Sequence, residues 1–247
     1  SPNRYYRGCQ LMWFDSINLD QYKNLHRRTT ENLINVNPIQ TGGVIPPEAR
    51  HVLQEFGNGY SVCDFCGVPG GGRLDLVKDP PVSNFIGDLA KFVDMDNVRL
   101  VHGAREGIFV VMHSVAKPGS TVVVDSLSHY TTYVAAENAG LKVIEVLSKG
   151  HPFYQVTPEG FAEKVEEVKK NTGKKPSLIV LSHVDYEFGN LADALGVGKV
   201  AKQYEVPFLL NCAYTVGRMP VSGRQLSADF LVASAHKSMA ACGPAGL

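Results

Sequence analysis

From Val98 onward the chain alternates two patterns with little between them, and this alternation constrains the fold more than any other feature. Short, mostly apolar runs occur at 98–101, 121–124, 142–146, 178–181, 207–210 and 230–233. Stretches of helical periodicity separate most of them, near 104–116, 130–139, 158–170 and 191–204. Runs of this kind read as strands buried on both faces, and helices between them make the crossovers parallel. The predicted class is α/β, a mostly parallel sheet with helices on both faces. Ligands of such sheets gather outside the carboxyl ends of the strands. The polar residues that follow each run are therefore the ones to weigh.

Upstream the texture differs. Pro47 and Glu48 open a predicted helix whose apolar positions Val52, Leu53 and Phe56 stop at Gly57, and a second helix is predicted from about Pro81 to Val93. Between them lies a glycine-rich loop, 57–72, that holds Cys63 and Cys66. The first 30 residues are polar and locally basic, with Arg4, Arg7, Lys23, Arg27 and Arg28 against Asp15 and Asp20. The expected organisation is a polar N-terminal segment, 1–31, and one large domain, 32–247.

Composition narrows the function classes. With 24 basic and 24 acidic residues, no broad basic surface advertises nucleic acid, so any such contact must be local. No run of 18 apolar residues and no apolar run at the N-terminus is present, so the reading is a cytoplasmic chain with no membrane contact. Five cysteines, an odd and sparse set, suit a reducing compartment in which thiols serve the core, a metal or catalysis.

The run 230–233 is followed by Ser234-Ala235-His236-Lys237-Ser238. A lysine held at a fixed, partly desolvated point can lose its proton and attack a carbonyl. Ser234 and His236 beside it can donate to a phosphate. The pattern points to pyridoxal 5′-phosphate (PLP), although Lys237 alone would equally fit a surface lysine after an edge strand. Three further strand ends tip the balance. His102-Gly103-Ala104-Arg105 opens a helix whose free amides suit an anion. His129 follows the run 121–124 and can lie against a pyridine ring. Asn211, 26 residues before Lys237, stands where a group could meet the pyridine nitrogen. Its amide would hold a pyridinium less firmly than a carboxylate, which suits expulsion of a good leaving group.

Together these residues resemble the fold-type-I PLP enzymes, near the cysteine desulfurases. The stretches Ile34-Asn35-Val36-Asn37-Pro38-Ile39-Gln40-Thr41-Gly42-Gly43 and Gly59-Tyr60-Ser61-Val62-Cys63-Asp64-Phe65-Cys66 carry a closer resemblance, as does Asn211-Cys212-Ala213-Tyr214-Thr215-Val216-Gly217-Arg218-Met219-Pro220-Val221. They are similar to the O-phosphoseryl-tRNA:cysteinyl-tRNA synthase family of archaeal type. The resemblance covers about 32–247 and implies an aminotransferase-like large domain acting as a PLP-dependent transferase on phosphoseryl-tRNA(Cys). It implies that Lys237 bonds the cofactor, that Ala104, Arg105, Ser234, Ala235 and His236 hold its phosphate, that His129 stacks on its ring, and that Asn211 faces the ring nitrogen. It also implies a homodimer, a small C-terminal domain and a third functional cysteine beyond this chain, a sulfur donor, and contact with phosphoseryl-tRNA synthetase.

Cys63 and Cys66 match the family's sulfur-handling cysteines. One thiolate can carry a persulfide that a second, close in sequence, attacks. The same pair could instead ligate an iron–sulfur cluster or metal with a third thiolate, or be structural. Two other functions stay open on the residues: a cysteine desulfurase or selenocysteine-lyase-like enzyme acting on a free amino acid, and an iron–sulfur or metal-binding scaffold with a vestigial PLP site.

Overall fold

A computed structural model describes residues 44–56 and 82–247, together with Asp20 and Asn24; Cys63 and Cys66 lie outside the described residues. Helix α1 spans Pro47–Phe56 and α2 spans Val82–Phe92. The order is then α3 (Ala104–Val115), β1 (Thr121–Asp125), α4 (Tyr130–Asn138), β2 (Lys142–Val146), α5 (Pro158–Thr172), β3 (Leu178–Ser182), α6 (Ala194–Tyr204), β4 (Phe208–Asn211), β5 (Phe230–Val232) and α7 (Ala235–Ser238). The five strands form one sheet in the order β2-β1-β3-β4-β5, every pair parallel.

The strand residues sort by parity, as a sheet covered on both sides requires. Val123, Ile179, Leu181, Phe208 and Leu210 pack in one core with residues of α2, α5 and α6. Val122, Val124, Leu178, Val180 and Leu209 pack in the other with α3 and α4. Gly107 lets α3 lie close on β5, because a Cβ there would meet Val232 Cγ1 at 2.7 Å. Caps fix several helix ends. Thr157 Oγ1 accepts the Gly160 N–H ahead of α5, and Gly173 ends that helix with φ +67°.

Two sequence expectations are corrected. The run 98–101 is no strand of the sheet: its one pairing among the described residues is a single antiparallel bridge from Val101 to Gly246. Val98 is buried, but Leu100 is half exposed, so apolar content there reports one covered side rather than a central position. The helix expected from 191 begins at Ala194, with Asp193 as its cap. Residues before it are held in a loop around Asp185, whose Oδ1 accepts the N–H groups of Glu187, Phe188 and Gly189 and whose Oδ2 accepts that of Asn190. Asp in such a position offers the backbone a turn in place of helix.

Candidate active site

The connection from β1 to β2 leaves on one side of β1 and β3 pairs on the other, so a crevice opens at the carboxyl ends of β1 and β3. A cavity of about 430 Å³ lies at these ends, lined by Arg105, His129, Asn211, Ser234, His236 and Lys237 among others. Six of the residues singled out from sequence thus converge, from the ends of β1, β4 and β5 and from the start of α3, and Ala104 joins them. Ala235 does not line the cavity; it opens α7, the single turn that carries His236 and Lys237.

Each side chain has a local cause for its place. Gly103 turns the chain into α3 with φ +98°, and a Cβ there would sit 3.1 Å from His236 Cε1. The turn therefore needs glycine both for its backbone and for the histidine packed on it. No side chain caps α3 at Gly103, and Ser234 Oγ accepts the Ala104 N–H at 3.2 Å. This bond ties the start of α3 to the strand end that leads to Lys237. His236 Nδ1 lies 2.8 Å from the Ala245 carbonyl, which fixes its ring against the same wall.

His129 caps α4, with Nδ1 2.9 Å from Thr131 Oγ1 and accepting the Thr131 N–H at 3.4 Å. Its ring meets Tyr130 at 4.4 Å and the edge of Tyr186 at 5.2 Å. Burial pushes its pKa below the usual histidine range, and the charges of Lys237 and Arg105 push it the same way. The ring is therefore neutral at physiological pH, held in place by Thr131 and by two tyrosines.

Lys237 Nζ stands 4.0 Å from the centroid of the Tyr214 ring, a cation–π distance. Ser238 Oγ donates to the Tyr214 carbonyl at 3.1 Å, so the lysine turn and the turn after β4 are joined. Arg105 lies over the Tyr130 ring at 5.9 Å. Beneath this floor His183 Nδ1 contacts Thr215 Oγ1 at 3.0 Å. Cys212 is sealed beside it, its thiol pushed up to about 12 by burial, which makes it an inert core thiol.

The sequence reading missed Tyr186, Tyr214 and Ser182, all of which line the cavity. It also missed Asp125, a fully buried carboxylate at the end of β1. Burial raises its pKa to about 6, against hydrogen bonds from Ser128 and Ser182. A signal existed for two of them: Asp125 and Tyr214 follow apolar runs in the same way as the residues that were picked.

The donor set suits a phosphorylated aldehyde. A helix start with an added serine and histidine can take an anion, a lysine can bond a carbonyl, and a neutral aromatic ring can cover a flat heterocycle. The volume lies within the usual range for small-molecule sites.

A family model for the class-V aminotransferases matches residues 83–247. The chain is 54% identical over 230 residues to the O-phospho-L-seryl-tRNA:Cys-tRNA synthase of Methanocaldococcus jannaschii, an alignment covering 93% of this chain and 60% of that one. It is 53% identical over 223 residues to the protein of the same name from Methanothermobacter thermautotrophicus, covering 90% and 58%. A crystal structure of a SepCysS–SepCysE N-terminal domain complex superposes with a TM-score of 0.82 at 52% identity, over 93% of this chain and 58% of that one. The ureidoglycine–glyoxylate aminotransferase of Bacillus subtilis, 16% identical, shares the fold with a TM-score of 0.65 over 82% of this chain and 48% of that one. The chain spans about three fifths of the length of the curated relatives it matches. With the matched region running from α2 to the last residue and enclosing every described residue of the cavity, the chain belongs to the class-V aminotransferase family.

Proposed function

We propose that this chain is the cofactor-binding part of an enzyme that converts O-phosphoseryl-tRNA(Cys) to cysteinyl-tRNA(Cys) by eliminating phosphate and adding sulfur. The observation that carries the reading is 54% identity over 230 residues to a protein of that name, joined to a cavity in which Lys237, His129, Asn211 and Arg105 meet.

Bound in this cavity, PLP supplies an electron sink for bonds at the α-carbon of an amino acid. The chain's residues do the rest. The start of α3, with Ser234 and His236, would hold the cofactor's phosphate, and Lys237 would anchor its aldehyde. His129, its pKa pushed down by burial, would cover the ring without placing a second cation against it. The phosphoseryl group keeps a free α-amino group when its carboxyl is esterified to tRNA, and that amine would compete with Lys237 for the cofactor's aldehyde. A free Lys237 amine in this cavity would be the group available to take the proton from Cα. Arg105 offers positive charge to the phosphate that departs from Cβ.

In this reading Cys63 and Cys66 hand sulfur to Cβ from a donor. The competing role, ligation of an iron–sulfur cluster, is separated from it by iron analysis of the purified protein. The assembly is a homodimer in which tRNA is the substrate. The SepCysS–SepCysE complex supports a protein partner of the same kind, and phosphoseryl-tRNA synthetase is a second.

The test uses the full-length protein with PLP, phosphoseryl-tRNA(Cys) and sulfide. Cysteine esterified to tRNA is the expected product. Failure of that product, together with release of sulfur from free cysteine, would replace the proposal with a desulfurase. Cys63→Ser and Cys66→Ser are expected to keep the bound cofactor's visible absorbance and to lose product formation from the physiological donor; unchanged turnover in both would remove the sulfur relay.

A further inference from the structure

The end of β4 carries an orientation that the sequence leaves open. Asn211 is buried and lines the cavity, and its Oδ1 accepts the Ala213 N–H at 3.1 Å. A backbone N–H has nothing to donate to on an amide nitrogen, so this bond assigns which end of the side chain is oxygen. The other end, Nδ2, is a donor only. It is not among the enclosed side-chain atoms left without a partner, so it opens on the cavity.

The rest of the lining agrees with that polarity. Arg105 reaches the cavity from α3, His129 from the start of α4, Tyr186 from the β3–α6 loop, Tyr214 from the turn after β4, and His236 and Lys237 from α7. His102 adds a third imidazole, and no described lining residue is Asp or Glu. The nearby carboxylates are committed elsewhere. Glu106 accepts from the His102 N–H at 2.6 Å, and Asp125 accepts the Ser182 N–H at 2.8 Å and the Ser128 hydroxyl at 2.7 Å.

We propose that Asn211 holds the ring nitrogen of the cofactor unprotonated, by offering it a hydrogen-bond donor in a cavity whose described lining has no carboxylate to stabilise a pyridinium. The proposal rests on the PLP reading above and deepens it. A pyridine nitrogen that accepts from Nδ2 has its lone pair engaged and cannot also carry a proton at that position. With Lys237 bonded to the cofactor, burial and the Arg105 charge remain to push the cavity's other heterocycle, His129, below its usual pKa range. A neutral pyridine ring draws electrons less strongly than a pyridinium. Such a site favours reactions in which the electron pair freed at Cα leaves at once with a good leaving group on Cβ. It disfavours those that need the charge stored on the ring, transamination above all. Asn211 is on this account a specificity-determining residue: it selects β-substituted amino acids whose substituent departs as a stable anion.

The test loads full-length protein with PLP carrying ¹⁵N in the ring and reads the nitrogen by NMR at neutral pH. The wild type is expected at the low-field position of an unprotonated pyridine, and Asn211→Asp is expected to move it to the pyridinium position. The same substitution should raise the half-transamination side reaction about tenfold or more relative to elimination, the scale of one pKa unit or more at the ring. A wild-type signal at the pyridinium position overturns the proposal while leaving the PLP site intact, and needs no variant to fold. Absence of any retained label, with no borohydride-fixed pyridoxyl group on Lys237, overturns the PLP reading itself.

Discussion

Two cavities of the same size, about 430 Å³ each, lie side by side at the carboxyl ends of the strands, and Ser182 lines both. They are opposites in charge. The first is lined by Arg105, Lys237 and three histidines. The second is lined by Asp125, Glu159, Asp185 and Asp193, with no basic side chain among its described residues. Yet the acidic one is mostly satisfied from within. Asp185 is surrounded by four backbone N–H groups, Asp193 caps α6 through the Gly196 N–H, and Asp125 is bonded to Ser128 and Ser182. In the basic cavity Arg105 and Lys237 lie over aromatic faces, and neither forms an ion pair with a described carboxylate. The difference teaches that a cavity is marked as chemical by polar groups left uncommitted, not by how many charges surround it.

The sharpest way to break that contrast is to remove one group from each side. Lys237→Ala takes the uncommitted amine from the basic cavity. It is expected to abolish covalent retention of PLP and to slow product formation on the order of a thousandfold or more, the scale for losing a positioned base. Asp185→Ala takes the most heavily committed carboxylate from the acidic cavity. Four N–H groups then lose their acceptor and regain only part of it from water, so a loss of about 3 kcal/mol in unfolding free energy is expected from denaturant titration. A variant that kept its stability but lost turnover would place Asp185 in the chemistry and end the distinction.

The same contrast explains what was legible in the sequence. Lys237, His129, Asn211, Arg105, Ser234 and His236 could be picked because each follows an apolar run or opens the next helix, and a parallel sheet brings those ends together whatever the loops do. Five of the six apolar runs became strands for the same reason. The sixth, 98–101, failed because pattern cannot tell a strand inside a sheet from a segment paired only by an isolated bridge, here to Gly246. The acidic cavity was invisible for a different reason. Asp125 and Ser182 meet only because β1 and β3 are neighbours in the sheet, and Asp185 is explained by backbone amides that carry no sequence signature. Tyr214 beneath Lys237 depends likewise on the joining of two turns distant in the chain.

A smaller effect sharpens the contrast by pH. Burial raises the Asp125 pKa from 3.8 to about 6, so the folded chain binds its proton more readily than the unfolded chain does. Its contribution to stability is therefore full below its ordinary value and is lost as pH rises through about 6. The shift corresponds to about 3 kcal/mol as an upper scale, of which about half falls between pH 5 and pH 8. Asp125→Asn imitates the protonated form and keeps one oxygen for Ser182. Denaturant midpoints at pH 5 and pH 8 should show the variant gaining on wild type by roughly 1–2 kcal/mol as pH rises. A constant difference across that range would mean that the carboxylate is not desolvated, and that the acidic cavity is wet rather than closed by its own bonds.

The smallest expected effect falls on the wall the two cavities share. Ser182 serves Asp125 through its backbone N–H, at 2.8 Å, whereas its hydroxyl stands 3.3 Å from Ser128 Oγ, a long contact. Ser182→Ala leaves the N–H in place and removes the hydroxyl's long contact with Ser128 and its share of the bonding to Asp125. Stability should fall by about 0.5–1 kcal/mol, and turnover and cofactor retention should stay within about twofold, since 0.4 kcal/mol is that ratio. If the variant instead lost the cofactor's absorbance or most of its turnover at unchanged stability, the hydroxyl would belong to the basic cavity as an uncommitted group. The boundary between the working cavity and the structural one would then run behind Ser182, at Asp125, rather than through it.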